Sequence, residues 1–223
     1  LTQWKRWWKY LKIENPVVMN WVDNLKVKIY PNNEVFRSLY VNGMYDPNML
    51  VIAKSLLKEG DTIIDVGSNC GYLTLPLCKE VGKNGTIIAI EPSSRDYKRL
   101  VENVELNGIE HIVKTIQMAI GDRIGQKTMM IASEERSNVN TLGDKFAFQG
   151  IEKQKTEDVN VTTIDNIVSS ENLSRVDAIK LDVEGSEIRC LEGAKSTIQS
   201  FKPALIIRIN KDAIKDGNLI KKD

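Results

Sequence analysis

From Asp61 onward, short apolar runs alternate with longer segments whose apolar positions recur every three to four residues. The runs Thr62–Val66, Thr86–Ile90, Ile112–Met118, Val176–Leu181 and Ala204–Ile209 read as buried strands. Tyr72–Glu80, Ser94–Leu106 and Ser186–Ser200 read as helices between them, and Asn107-Gly108 supplies a C-terminal stop for the second. This alternation predicts right-handed crossovers and a Rossmann-like α/β fold, a mostly parallel twisted sheet with helices on both faces. Lys127–Ile131 and Val159–Thr162 are further strand candidates. The polar stretch Ser133 to Asp158 breaks the rhythm and reads as a long loop, of the kind that forms lids and binding loops.

Upstream of Asp61 the pattern differs. Leu25–Tyr30 and Glu34–Tyr40 alternate around the turn sequence Pro31-Asn32-Asn33, which predicts a hairpin. Pro47, at a favoured first-turn position, opens a helix to Lys58. Residues 1–58 therefore read as a small helix/hairpin extension, and 59–223 as the main domain. Trp4, Trp7, Trp8 and Leu11 fall at helical spacing, with Lys5, Arg6, Lys9 and Lys12 between them. That stripe suits a helix packed on the main domain or on a second subunit, which would make a homodimer. A helix lying on a membrane surface is the alternative.

Charge and cysteine usage narrow the partners. In 223 residues, Lys and Arg number 31 against 30 Asp and Glu, a net +1 that exerts no broad pull on nucleic acid or anionic lipid. No nucleic-acid partner is expected. Cys70, Cys78 and Cys190 form neither a disulfide framework nor a zinc pattern, and a cytoplasmic location fits them. No apolar run approaches the ~20 residues of a membrane span. The chain opens on Leu1, which leaves an upstream segment open. The single histidine, His111, begins a strand and reads as structural.

The first strand runs into Asp65-Val66-Gly67-Ser68-Asn69-Cys70-Gly71 and then a helix. Such a turn lets a ligand approach bare backbone and aims helix N–H groups at it. Glu91, ending the next strand, is placed to grip the hydroxyls of a ribose. A G-x-G-x-x-G pattern is absent, so a pyrophosphate is disfavoured and the expected cofactor is S-adenosylmethionine. Asp65 could attract its ammonium and the helix start its carboxylate. Asp65, Gly67, Ser68, Asn69, Gly71 and Glu91 are the expected cofactor residues, with Gln117 near the third strand end facing the adenine. A second constellation, Lys180-Leu181-Asp182-Val183-Glu184-Gly185-Ser186-Glu187, lies at the C-terminal end of the fourth strand, where open parallel sheets bind ligands.

With these two runs, Ile90-Glu91-Pro92, Glu102-Asn103, Leu106-Asn107-Gly108, Thr163-Ile164-Asp165 and Leu191-Glu192-Gly193-Ala194 complete a set that resembles the FkbM family of S-adenosylmethionine-dependent methyltransferases. The resemblance covers about Asp61 to Ile209. It implies a class I methyltransferase sheet, O-methylation of a sugar, glycan or secondary-metabolite hydroxyl, and Asp182, Glu184 and Glu187 at the methyl-acceptor end. Two departures stand out. The family usually has an acid near Arg208. Asp212 to Asp223 is short for the closing strand pair, so the chain is truncated or its edge is completed by a partner. Asp182 or Glu184 is the expected base or orienting group; a divalent metal held by the same acids is the alternative and is not predicted. A nucleic-acid methyltransferase and a non-catalytic cofactor-binding member are the competing functions.

Overall fold

The computed structural model describes residues 15–142, 150 and 153–209. The tryptophan stripe and Asp212 to Asp223 lie outside the described residues. Among the described residues, the first elements are a hairpin of β1 (Val17–Asn20) and β2 (Lys26–Ile29), followed by α1 (Glu34–Asn42) and α2 (Pro47–Leu56). Then come β3 (Thr62–Val66), α3 (Thr74–Val81), β4 (Thr86–Ile90), α4 (Ser94–Asn107) and β5 (Val113–Ile116). A second layer of strands, β6 (Ala119–Ile120), β7 (Gly125–Ala132) and β8 (Lys153–Thr162), precedes α5 (Ile164–Ser170). The last described elements are β9 (Ala178–Leu181), α6 (Glu187–Glu192), α7 (Lys195–Phe201) and β10 (Ala204–Ile207).

The main sheet is parallel, in the order β10-β9-β3-β4-β5. Strand periodicity divides its side chains between two cores. Ile63, Ile87, Ala89, Val113 and Ala178 pack with Leu50 of α2, Leu75 of α3 and Leu100 of α4. Ile64, Ile88, Ile90, Ile179 and Leu181 pack on the other face with Ile164 and Ile167 of α5 and Cys190 of α6. Both faces being covered explains why these strands read as unbroken apolar runs. The small sheet has the order β6-β8-β7, with β8 parallel to β6 and antiparallel to β7.

Three expectations are corrected. Glu34–Tyr40 is the helix α1, not a strand, and the hairpin partner of β2 is β1. Asn33 caps the helix, its side chain accepting from Phe36 N at 3.2 Å, and Val35, Phe36 and Leu39 are buried at helical spacing. The stretch Ser133 to Asp158 is not one loop: a 3-10 segment spans Glu134–Val139, and β8 begins at Lys153. The exposed outer half of β8 carries Lys, Gln, Thr and Glu, so it shows no apolar signal. Finally, Ser186–Ser200 is broken at Gly193-Ala194 into α6 and α7.

Candidate active site

The chain runs outward from β3 through β4 to β5, then returns to place β9 on the other side of β3. Strand order therefore reverses between β3 and β9, and crevices at such points bind ligands. A cleft opens there, enclosing with its mouth about 700 Å³ of space that includes open solvent. Its walls include Gly67, Asn69 and Tyr72 from the first turn, Glu91 beyond β4, and Asp182 and Glu184 beyond β9.

Gly67 lies where the backbones of β3 and β9 nearly touch. A Cβ built on it would come 2.1 Å from the Asp182 carbonyl oxygen, and its φ is +76°. The Gly67 and Ser68 N–H groups both donate to Ile90 O, at 2.9 and 3.0 Å. Asn69 is also left-handed, with φ 51°, and its N–H donates to Glu91 Oε2 at 2.9 Å. The turn closes where Gly71 N–H donates to Ser68 O at 2.9 Å.

Glu91 is the most perturbed acid of the site. Burial pushes its carboxyl up to about 8, and nearby Asp96 adds to the rise, against amide N–H bonds from Ser93 and Asn69. Asp65 has no exposed surface and stands behind the turn rather than on the cleft wall. Its Oδ2 accepts from Thr74 Oγ1 at 2.6 Å, and its Oδ1 lies 2.9 Å from the buried Lys180 ammonium. That contact is an ion pair without hydrogen-bond geometry, and Lys180 Nζ also donates to Gly67 O, at 2.8 Å. The pair thus grips the glycine turn from below.

Other expected residues also stand off the wall. Ser68 is buried with its hydroxyl donating to Asp65 O at 2.7 Å, and Gly71 lies deeper in the turn. Gln117 is exposed and donates to Ser94 Oγ at 2.9 Å, while Met118, Ala119 and Ile120 form that wall. Glu187 is buried and accepts from Gly185 N at 3.1 Å, bracing a turn in which Glu184 has φ 48°.

At the β9 end, Asp182 Oδ2 accepts from Tyr72 OH at 3.1 Å and lies 3.4 Å from Arg208 Nε. Arg208 also pairs through Nη2 with Asp46 Oδ2. Burial alone would lower the pKa of Arg208; the Asp182 and Asp46 carboxylates outweigh it and raise it. Tyr45 packs edge-on against Tyr72 with ring centroids 5.1 Å apart. Burial raises the Tyr72 phenol well above its usual value and Tyr45 to about 12, so both are neutral donors at physiological pH. Tyr45 was not expected, whereas the roof residues Ser137, Asn140 and Leu142 come from the Ser133 to Asp158 stretch expected to form a binding loop. The roof follows the apolar end of β7, inside the polar stretch that begins at Ser133. Among the described residues, no group of three His, Cys, Asp or Glu side chains is placed to hold a metal ion.

A family model described as Methyltransferase FkbM domain matches residues 65–220, from the buried aspartate of β3 to beyond β10. The chain belongs to the FkbM methyltransferase family. Among its relatives, the hexuronic acid methyltransferase AglP of Haloferax volcanii is 26% identical over 176 residues, 78% of this chain and 65% of AglP. A 23S rRNA (uracil(1939)-C(5))-methyltransferase, RlmD of Acinetobacter baylyi, is 28% identical over 123 residues, 49% of this chain and 27% of the relative. The chain thus spans less than two thirds of the length of each. A crystal structure of an FkbM methyltransferase from Methylobacillus flagellatus aligns with a TM-score of 0.48 at 18% identity, over 68% of this chain and 33% of that one.

Proposed function

We propose that this FkbM-family chain transfers the methyl group of S-adenosylmethionine to a hydroxyl of a sugar, glycan or secondary metabolite. One observation carries the reading: a single cleft joins the Gly67 turn and Glu91 to Asp182 and Glu184 across the β3/β9 switch point. The residues present fit the cofactor. Gly67 leaves backbone bare where any side chain would strike Asp182. Each Glu91 oxygen already takes one amide N–H, and its remaining lone pair suits a ribose hydroxyl. Met118, Ala119 and Ile120 offer an apolar wall for a purine. When bound, the cofactor supplies an electrophilic methyl group.

In this reading Gly67, Ser68, Asn69 and Gly71 shape the donor turn, and Asp65 with Lys180 holds its backbone. Asp182 or Glu184 orients the acceptor hydroxyl and takes its proton. Tyr72 and Arg208 fix the Asp182 carboxylate, and Glu187 fixes the turn bearing Glu184. Holding the reacting groups in line contributes much of the rate in such displacements. The AglP likeness supports a sugar acceptor. The RlmD likeness favours a second reading, a nucleic-acid acceptor, which RNA binding with a steep salt dependence would establish.

Transfer of labelled methyl from S-adenosylmethionine to a panel of hexosides and lipid-linked glycans tests the proposal. Label is expected in at least one hydroxyl acceptor. Asp182→Asn is expected to abolish turnover while S-adenosylhomocysteine affinity stays within about twofold. Full activity of that variant removes Asp182 from the mechanism.

A further inference from the structure

Ser137 belongs to the roof of the cleft and lines its wall, yet its relative exposure is 1%. Asn33 orients its hydroxyl. The Asn33 amide fits only one way round. Its Oδ1 accepts from Phe36 N, and its Nδ2 donates to Glu134 O at 3.3 Å and to Ser137 Oγ at 2.5 Å. Turning the amide over would set a donor against the Phe36 N–H and an acceptor against the Glu134 carbonyl. Ser137 Oγ therefore receives a proton from Asn33 and must place its own elsewhere. Among the described residues nothing accepts that proton. The hydroxyl is left as a fixed donor at the cleft, and a buried donor needs a partner.

Helix α4 ties this serine to the donor turn. Arg99 pairs with Glu134 at 2.5 Å, and Asn103, one turn on, donates to Cys70 O at 2.9 Å. Asn69 and Tyr72, which flank Cys70 in the turn, share the cleft wall with Ser137. Beyond them α3 starts at Thr74 with no side-chain cap, a helix end that favours an anion. Of the polar groups of S-adenosylmethionine, the ammonium only donates and the ribose hydroxyls suit Glu91, whereas the carboxylate only accepts. We infer that the Ser137 hydroxyl donates to the carboxylate at the amino-acid end of the methyl donor, and that Asn33 is the positioning residue that turns it into the cleft. The inference rests on the donor-site reading above and extends it to the roof. It also gives a role in cofactor recognition to a residue that precedes the family match, which begins at residue 65.

The test is calorimetric titration of the full chain with S-adenosylhomocysteine and with its decarboxylated analogue, which keeps the nucleoside, the sulfur and the amine. The wild type is expected to bind S-adenosylhomocysteine about tenfold or more tighter than the analogue. In Ser137→Ala that preference is expected to fall about tenfold, through weaker binding of S-adenosylhomocysteine and unchanged binding of the analogue. Asn33→Asp still caps α1 but can only accept, so the Ser137 hydroxyl turns to it and leaves the cleft. The same selective loss is expected there, and the melting temperature reports that each variant is folded. Equal binding of the two ligands by the wild type overturns the inference. So does an undiminished S-adenosylhomocysteine affinity in either folded variant, or an equal loss for both ligands, which would mean that Ser137 only shapes the roof. Each of these results leaves the donor site standing. Failure of the wild type to bind S-adenosylhomocysteine overturns the donor reading and this inference with it.

Discussion

A methyl group on Gly67 would collide with the Asp182 carbonyl at 2.1 Å, in a backbone conformation that L residues rarely adopt. Gly67→Ala is therefore expected to lower stability by ~1–3 kcal/mol and to abolish S-adenosylhomocysteine binding, because β3 and β9 must part to admit it. Thermal melts and calorimetry read the two effects. Glu91 makes a prediction about pH. Its folded pKa is raised from 4.5 to about 8, so between those values the folded chain holds a proton that the unfolded chain has lost. Its contribution to stability therefore declines as pH rises through that window. Ribose hydroxyls donate to the ionised form, so S-adenosylhomocysteine affinity is expected to rise as pH approaches 8, with proton release on binding. Calorimetry in buffers of different ionisation heat measures that release, and Glu91→Gln is expected to abolish it. The glycine turn was legible because its demands are local: a bare backbone at a strand end. The orientation of Asp65 and Gln117 was not, because it depends on Lys180, Thr74 and Ser94, which lie far away in sequence or on another element.

Among the elements, α4 joins the N-terminal hairpin to the donor turn. The buried Asn103 donates to Cys70 O at 2.9 Å and accepts from Lys28 N at 2.8 Å. One turn later, Asn107 accepts from Lys26 N and donates to Lys26 O, both at 2.8 Å. The two amides thus satisfy the outer edge of β2, which among the described residues pairs only with β1. Asn103→Ala orphans one donor and one acceptor and is expected to cost ~1–3 kcal/mol by denaturant unfolding. Asn103→Asp is expected not to rescue it, since a carboxylate cannot donate to Cys70 O. Asn103 and Asn107 were visible in the sequence, but as pieces of a resemblance without a role, because their partners are 33 to 81 residues away. Reading Glu34–Tyr40 as a strand failed for the opposite reason. The cap at Asn33 is a local signal, and a superficial alternation masked it.

Across the whole molecule, the segment read as an extension shares one hydrophobic core with the sheet: Trp21, Val27, Phe36 and Leu50 belong with Ile63, Ile87 and Leu100. It also holds the roof of the cleft. Asn33 Nδ2 donates to Ser137 Oγ at 2.5 Å, and Arg37 pairs with Glu135 at 3.2 Å. From α4, Arg99 reaches Glu134 at 2.5 Å, and Asn140 donates to Asp96 at 2.9 Å. The parallel sheet was legible because its strands are buried on both faces and read as apolar runs. The seating of the roof and of the Tyr45–Asp46 corner was not, because polar side chains paired over long sequence distances hold them there. Among the described residues, no helix is long and apolar enough to cross a membrane.

The central claim is that the β3/β9 cleft is a methyl-donor site. Calorimetric titration of the wild type and Gly67→Ala with S-adenosylhomocysteine and with NAD tests it most directly. One S-adenosylhomocysteine is expected to bind per wild-type chain, with a Kd on the order of micromolar, with no heat from NAD and no binding of either by the variant. Binding of NAD in place of S-adenosylhomocysteine, or undiminished S-adenosylhomocysteine affinity in Gly67→Ala, would contradict it.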